Sequence, residues 1–501
     1  MPRPLHFVCQ DGPTLAALEQ RFALAATNAR WQREGIRRCL LDSADRRLRD
    51  AGMLLVHDLA EDDDRGTLTL FDLAGRQLVA PSAGCQPPCR SAALADARLR
   101  AAVAPALRPR TLLAVRRWEV ERSLRPWLNG DDKIIGELVL ERHAWAGGTL
   151  VTVTARPLRG YRRELRAALA PAFAAADLEP QALAANTLLD ARLAGEWDRP
   201  PPPGTLTSDA PVAPAIAGRL AHFRAVMQAN EAGIRDDLDI EFLHDFRVAL
   251  RRARSLVQAF ESMLGDVAAL KEGFAWLSRE TSSLRDLDVW LDALDDGSTR
   301  VAPELHAHLR ARRRREQARL ARLLGGRRYQ RLQRDWGAWL ERLAAQEPGA
   351  TSLRALVDKA IRRRHRRLCR RRHQHDRVLP PAALHEIRKD AKKLRYLLDA
   401  FAPLYARKRA RHLIGVLKRL QTIAGAICDR WAHAGLLVAW HDAAKDDALR
   451  ALFAAELEHL ALPAALDLDA PDNARLARAL DAMCGPDGLD SLHRLCDKGR
   501  R

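Results

Sequence analysis

HDFRVALRRARSLVQAF at residues 244–260 and HEIRKDAKKLRYLLDAF at residues 385–401 are two copies of one pattern, and reading them together decides the architecture of the second half of the chain. Both have the form H-x2-R-x3-[RK]-x2-R. The first copy carries His244, Arg247, Arg251 and Arg254; the second carries His385, Arg388, Lys392 and Arg395, with a further base at Arg252 and Lys393. On a helix, spacings of three, seven and ten residues fall within about 80° of arc, so each copy sets one histidine and three cations in a single stripe. The other faces carry Phe246, Leu250, Leu256, Val257 and Phe260 in one copy, and Ile387, Leu394, Leu397, Leu398 and Phe401 in the other. Those residues are expected to dock each helix on its neighbours.

The likeness continues past these helices. LSRETSSLRDLDVWLDAL (277–294) answers LKRLQTIAGAICDRWAHAGLL (417–437), with Asp286 and Asp429 at similar offsets from their histidines. A repeated unit cannot bury its apolar face alone, so two copies predict two related helical halves. Their cationic stripes would then line one shared groove. Asp286 and Asp429 are expected to pair with bases on neighbouring helices and not to hold a metal.

Composition narrows the partner. A chain of 501 residues is too long for a single core and implies at least two domains. The 83 Lys+Arg against 64 Asp+Glu leave a formal charge of +19, which points to a polyanion: nucleic acid, polyphosphate or an anionic membrane surface. Part of the arginine is compositional, because Ala, Leu and Asp are abundant alongside it. An aromatic content of 5% gives little material for stacking bases, and no helix-turn-helix or RNA-recognition signature is present. Eight cysteines are scattered, which fits a reducing compartment. The one close pair, Cys85-Gln-Pro-Pro-Cys89, lacks the further ligands of a zinc site and reads as a loop. No run reaches the length of a membrane helix and no leader pattern opens the chain, so a cytoplasmic location is expected.

Along the first 197 residues, short alternating runs (HFVCQ, RRCLLDS, GMLLVHDL, GTLTLFDL, GRQLVA, TLLAVRRWEVE, GELVLERHAW, GTLVTVTARPL) read as antiparallel strands. Helices are expected at 14–26, 91–103, 160–175 and 181–193. This predicts an α+β domain whose antiparallel strands form a closed or nearly closed barrel. Residues 198–211 are a proline-rich linker, and from 212 to 501 the strand signals vanish in favour of an all-α domain. Two stretches there are extremely basic, 310–334 and 361–377. Glu316, Asp335 and Asp376 are their few local acids, so both are further candidates for polyanion contact.

Three metal or catalytic readings are weak. His373 and His375 do not share a helix face. The His-Asp doublets at His244-Asp245 and His441-Asp442 lack the additional ligands of a metal-dependent phosphohydrolase.

The paired motifs, with L-R-D-L-D-V and L-x-x-L-Q-x-x-x-G-x-x-x-D, resemble the CHAD domain, the conserved histidine α-helical domain, from about Val212 onward. That resemblance implies two four-helix halves around a basic groove that binds inorganic polyphosphate, without catalysis and without a cofactor. It implies phosphate contacts at His244, Arg247, Arg251, Arg252 and Arg254, and at His385, Arg388, Lys392, Lys393 and Arg395 with Tyr396 beside them. Lys418 and Arg419 follow as weaker members. Association with polyphosphate granules and their proteins is implied as well, with nucleic acid bound only non-specifically.

The N-terminal half resembles in outline the CYTH domain, the triphosphate tunnel. The family's opening E-x-E-x-K reads here His6-Phe7-Val8-Cys9-Gln10. Its basic pair reads Val56 and Asp58, its next lysine Phe71, and its late acidic strand Val151-Thr152-Val153-Thr154. Metal-dependent triphosphate hydrolysis needs carboxylates for the ion and cations for the phosphates. The expectation is a degenerate, inactive tunnel from which both sets are missing. The competing readings are a triphosphatase working in that tunnel and a non-specific nucleic-acid binder.

Overall fold

The computed structural model describes residues 4–9, 14–23, 30–60, 65–175, 179–181, 185–295, 301–347, 351–375, 377–444, 446–460 and 462–496. The chain divides into two compact units, Met1–Arg199 and Pro200–Arg501.

The first unit is built on β1 (Leu5–Cys9), β2 (Gln32–Asp42), β3 (Met53–Ala60), β4 (Thr67–Asp72), β5 (Gln77–Ala83), β6 (Leu113–Leu128), β7 (Ile134–Trp145), β8 (Gly148–Pro157) and β9 (Glu179–Gln181). They form one antiparallel sheet in the order β5-β4-β3-β2-β6-β7-β8-β1-β9. The eight alternating runs become β1 to β8; β9 has three residues, too few for alternation to show. The helices are α1 (Leu15–Ala23), α2 (Arg47–Asp50), α3 (Ala97–Leu107), α4 (Arg162–Ala175) and α5 (Ala185–Arg192). The helix expected at 91–103 starts later, because Asp96 caps α3 by accepting from the Leu99 amide at 2.8 Å. The one expected at 181–193 also starts later, since Gln181 belongs to β9; residues 182–184 lie outside the described set.

Two apolar clusters hold the convex side of the sheet. One joins Leu138, Leu140 and Val153 to Leu18, Phe22, Leu165 and Leu169 of α1 and α4. The other joins Leu41, Leu55, Leu68 and Leu70 to Leu99 and Val103 of α3. The sheet is a half-barrel with β5 and β9 as its edges. Side chains bridge its curl: His6 Nε2 lies 3.0 Å from the Ala74 carbonyl, and the Thr187 hydroxyl donates to the Leu73 carbonyl at 2.9 Å.

The second unit is helical: α6 (Val212–Arg235), α7 (Ile240–Phe260), α8 (Ala268–Glu280), α9 (Ser282–Asp295), α10 (Pro303–Gly325), α11 (Arg327–Ala344), α12 (Leu353–His373), α13 (Pro381–Phe401), α14 (Arg407–Ala443), α15 (Asp447–Leu460), α16 (Ala474–Cys484) and α17 (Pro486–Cys496). It is not wholly helical, because β10 (Val378–Leu379) pairs with β11 (Leu466–Asp467). The offset between His244 and His385 also carries the first residue of α6 onto that of α12, and both ends of α7 onto those of α13. The third member of each half differs: α8 and α9 are split at Thr281, whereas α14 runs unbroken. Phe260 and Phe401, equivalent in the repeat, meet edge to face with centroids 5.7 Å apart. Equivalent residues touch each other only beside a two-fold axis, so the pseudo-axis passes between α7 and α13.

Close packing of α6 on α7 depends on Gly233. A Cβ there would stand 2.3 Å from the Phe242 ring. Gly233→Ala is therefore expected to cost about 1–3 kcal/mol through overpacking, despite the gain in helix propensity, and denaturant unfolding would measure it.

Candidate functional site

The capped, amphipathic α7 and its counterpart α13 turn their apolar faces to the core, which leaves the two cationic stripes beside each other. They meet in a pocket of about 490 Å³ between α7, α8 and α13. Arg251 and Arg254 enter it from α7; Lys392, Lys393 and Tyr396 enter from α13, and Val257 and Phe274 supply apolar wall. Lys271 and Lys389 complete its cationic lining, and no carboxylate is among the described lining residues. Sequence reasoning missed these two lysines. Lys389 stood in plain view beside the motif, while Lys271 carried no signal at all. Both are partly spent, on Glu261 at 2.5 Å and Glu386 at 2.6 Å.

The electrostatics show crowding of like charge that neighbouring acids offset only in part. Burial, then the charges of Arg388 and Arg251, push Lys392 down to about 8. Burial and Arg251 push Arg247 down to about 10. Burial and Arg364 lower Lys393 as well. Arg247, Arg251, Arg252 and Arg388 each keep a buried Nε–H donor with no acceptor among the described residues. An unpaired buried donor is costly, and here the unpaired donors are cationic.

The remaining predicted residues are divided among other duties. Arg247 reaches into the joint between α8 and α9, donating to the Ser278 carbonyl (3.1 Å) and the Thr281 hydroxyl (2.6 Å). Arg388 pairs with Asp429 at 3.1 Å. Burial raises the Asp286 carboxyl, and the nearby Arg247 charge opposes that rise. The acids Asp286 and Asp429 thus neighbour equivalent arginines. By strict repeat offset the counterpart of Asp429 is Asp288, but Asp288 is buried against Arg313 at 2.7 Å, and the break in the helix gives Asp286 the equivalent place. Arg252 and Arg395 flank the Tyr396 ring at 5.8 and 5.0 Å and share Asp399. Arg254 also donates to Ser278 Oγ at 2.8 Å.

His244 is half-buried and His385 exposed, and neither is among the residues lining the pocket. Partial burial and the Lys389 charge lower His385, so it stands neutral at physiological pH. Lys418 and Arg419 are exposed on α14, outside the pocket.

The basic stretch at 310–334 proves to be two helices, and much of its charge is answered across the fold. Arg313 pairs with Asp288 and Asp237, Arg310 with Asp295, and Arg319 with Glu280. On α12, Arg367 and Arg371 converge on the buried Asp390. A count of local acids missed these partners because they lie on other helices or, for Asp237, in the turn between α6 and α7.

The concave face of the half-barrel contains a second cavity of about 300 Å³. Here the expectation of missing charge needs correcting. Register sets Arg38 of β2 opposite Asp58 of β3, and Arg122 of β6 opposite Glu141 of β7. Arg38 bridges Asp58 (2.6 Å) and Glu141 (3.0 Å); Arg122 bridges Asp58 (2.8 Å), Glu141 (2.9 Å) and Glu34 (2.8 Å). Burial opposes the charges on Glu141 and Asp58, yet Arg38 and Arg122 more than offset it and hold both carboxyls low. Both kinds of charge are present, displaced from the motif positions and spent on each other. Inward alternation of Glu34, Ile36 and Arg38 on β2 was the available signal. The Cys85 and Cys89 thiols lie 2.9 Å apart in their loop.

The unit's class is a pseudo-symmetric helical repeat fold, whose two repeats present cations to one pocket with no carboxylate among its described lining residues. Residues 218–438 match the family model of the CHAD domain, so the helical unit carries a CHAD domain. No curated protein matches the chain. Among solved structures it is similar to the CHAD domain from the plant Ricinus communis (24% identity over 60% of this chain and 96% of that one, TM-score 0.45). It is also similar to PptA from Streptomyces chartreusis (18%, 54% and 99%, TM-score 0.37). A third is a Hippeastrum protein described as a putative adenylyl cyclase with a dominant triphosphatase activity (14%, 38% and 95%, TM-score 0.30). No described helix is long and apolar enough to cross a membrane.

Proposed function

We propose that the protein binds long-chain inorganic polyphosphate through the pocket between α7 and α13. One observation carries the reading. Two sequence repeats deliver Arg251 and Lys392 into one pocket that no described carboxylate lines, at the cost of a lysine held near 8 and of buried guanidinium donors without acceptors. A ligand of repeated phosphates supplies both the charge and the acceptors, through bidentate contacts to arginine and point contacts to lysine. His244, Arg247, Arg252, Arg388, Arg395, His385, Lys418 and Arg419 then act around the pocket as supports or outer contacts. Polyphosphate granules and their proteins are the corresponding cellular setting, in the cytoplasm. Nucleic acid competes only through general charge.

The N-terminal half-barrel is, in this reading, CYTH-like and without triphosphatase activity. A catalytic divalent ion needs free carboxylate oxygens. Asp58, Glu141 and Glu34 are each engaged by an arginine, and no described group of His, Cys, Asp or Glu is arranged to hold a metal. The residues do not fit the ion, and no step is assigned to it. Release of phosphate from tripolyphosphate with magnesium or manganese would sink this part.

The binding test is titration with long-chain polyphosphate at physiological salt in the presence of excess double-stranded DNA. Binding that survives the DNA supports the reading; displacement at equal phosphate concentration refutes it. The salt dependence should be steep, because neutralising phosphates releases counterions.

Lys392 adds a pH signature. A bound polyanion raises its pKa above the free value of about 8, so the complex takes up a proton between the two values. Affinity is expected to fall as pH rises from 7.5 to 9. Lys392→Arg should flatten that profile while keeping the affinity at pH 7, and calorimetry in buffers of different ionisation enthalpy would read the proton uptake.

A further inference from the structure

The arginine-rich run on α12 is the sequence motif that the pocket does not absorb, and the structure sorts it residue by residue. Leu353, Val357, Ile361, Arg364 and Leu368 face the core. Arg367 and Arg371 are spent on Asp390. Arg362 and Arg372 are half-buried, which leaves Lys359, Arg363, Arg366 and Arg370, all exposed, at spacings of four, three and four. That spacing is one helix face, a strip about 16 Å long. Among the described residues no carboxylate pairs with Lys359, Arg366 or Arg370, although neighbouring arginines on the same helix are paired.

Two further observations separate this strip from an ordinary solvated face. Compositional bias would load α6 and α12 alike, since they occupy the same place in the two repeats. At the offset that carries His244 onto His385, the counterparts of Lys359, Arg363, Arg366 and Arg370 are Gly218, His222, Ala225 and Ala229. The cations belong to one repeat only. The strip also adjoins the pocket: Arg363 donates to the Ala259 carbonyl at 2.7 Å, one residue beyond the pocket-lining Gln258. In addition, Arg364 and Arg367 are among the cationic neighbours of Lys393 inside it.

We infer that α12 provides a second phosphate track beside the pocket, used by chains too long for the pocket alone, so that the protein selects polyphosphate by length. This rests on the pocket reading above. Repulsion between Arg366 and Arg370, one turn apart, is relieved when phosphates lie along the strip. Because α6 offers no equivalent, the chain leaves the pseudo-axis on the α12 side.

The test uses the full chain with Lys359→Gln, Arg366→Gln and Arg370→Gln together; Arg363 is left intact because it braces α7. Tripolyphosphate and long-chain polyphosphate are titrated at several salt concentrations. The expected result is a loss of about tenfold or more for the long chain, and a salt slope shallower by about two, with tripolyphosphate affinity unchanged. Equal losses for both ligands, or none for the long chain, overturn the track. Wild type that binds tripolyphosphate as tightly as the long chain overturns it too, while leaving the pocket standing. Wild type that binds neither removes the pocket reading and the track with it.

Discussion

Changing Arg251 and Lys392 to methionine is expected to abolish tight polyphosphate binding and, at the same time, to stabilise the free protein. Each charge-assisted phosphate contact contributes about 1.5–3 kcal/mol. Losing two therefore weakens binding by roughly a hundredfold to ten-thousandfold. The stability effect has the opposite sign. Lys392 is driven to about 8 by burial and by Arg388 and Arg251, from an ordinary value near 10.5. A cation with a lowered folded value destabilises the native state wherever it is charged, below about pH 8. That penalty fades as pH rises through 8 to 10.5, because the unfolded chain there holds the proton more firmly. At pH 7 the cost is on the order of 3 kcal/mol. Methionine keeps the apolar stem and removes the charge, so the midpoint of chemical denaturation should move up at pH 7 and little at pH 10.5 or above. A purely structural role for these two residues predicts a lower midpoint instead, and that result would falsify the binding assignment. Stability given up for function is a general property of binding sites.

The second large effect lies in the half-barrel. Glu141→Gln leaves Arg38, 3% exposed, with Asp58 as its one carboxylate among the described residues, and that carboxylate is shared with Arg122. Breaking one side of a buried ion network costs about 3–5 kcal/mol, because a charge is left buried without compensation. The N-terminal unit is expected to unfold well before the helical unit in a thermal scan of the full chain. Replacing Arg38 and Glu141 together by leucine should recover much of that loss, since an apolar pair of similar size often serves as well as a buried ion pair. The pH dependence has a definite sign. Glu141 and Asp58 are depressed in the folded state, so their contribution is complete above the ordinary carboxylate range and is lost as pH falls through the depressed values. Wild type should therefore hold its N-terminal transition in mild acid. A single early transition in wild type, unchanged by the Glu141 substitution, would show that the network contributes nothing to stability.

Much of this molecule was legible in one dimension. Short, often alternating runs marked β1 to β8, and the repeated motif marked α7 and α13 along with the stripe that each carries. Four of the predicted cations, Arg251, Arg254, Lys392 and Lys393, do line one pocket with Tyr396. Two kinds of error are instructive. Acids were counted along the local sequence, whereas Arg313 is neutralised by Asp237 from the turn after α6 and by Asp288 from α9. The tunnel was judged by motif positions, whereas Arg38 and Glu141, 103 residues apart, meet across the curl of the sheet.

The sequence by itself determined the two-part organisation, the strand and helix periodicities, the internal repeat and the chain's own excess of positive charge. Those follow from local patterning, which needs no knowledge of neighbours. Only the tertiary structure decided which cations are available. A guanidinium is spent or free according to what the fold places within about 4 Å of it, and most of those partners are distant in the chain. The same local pattern, an arginine every third or fourth residue, thus becomes a salt-bridged strut on α10, a crowded pocket wall on α7 and an uncompensated strip on α12.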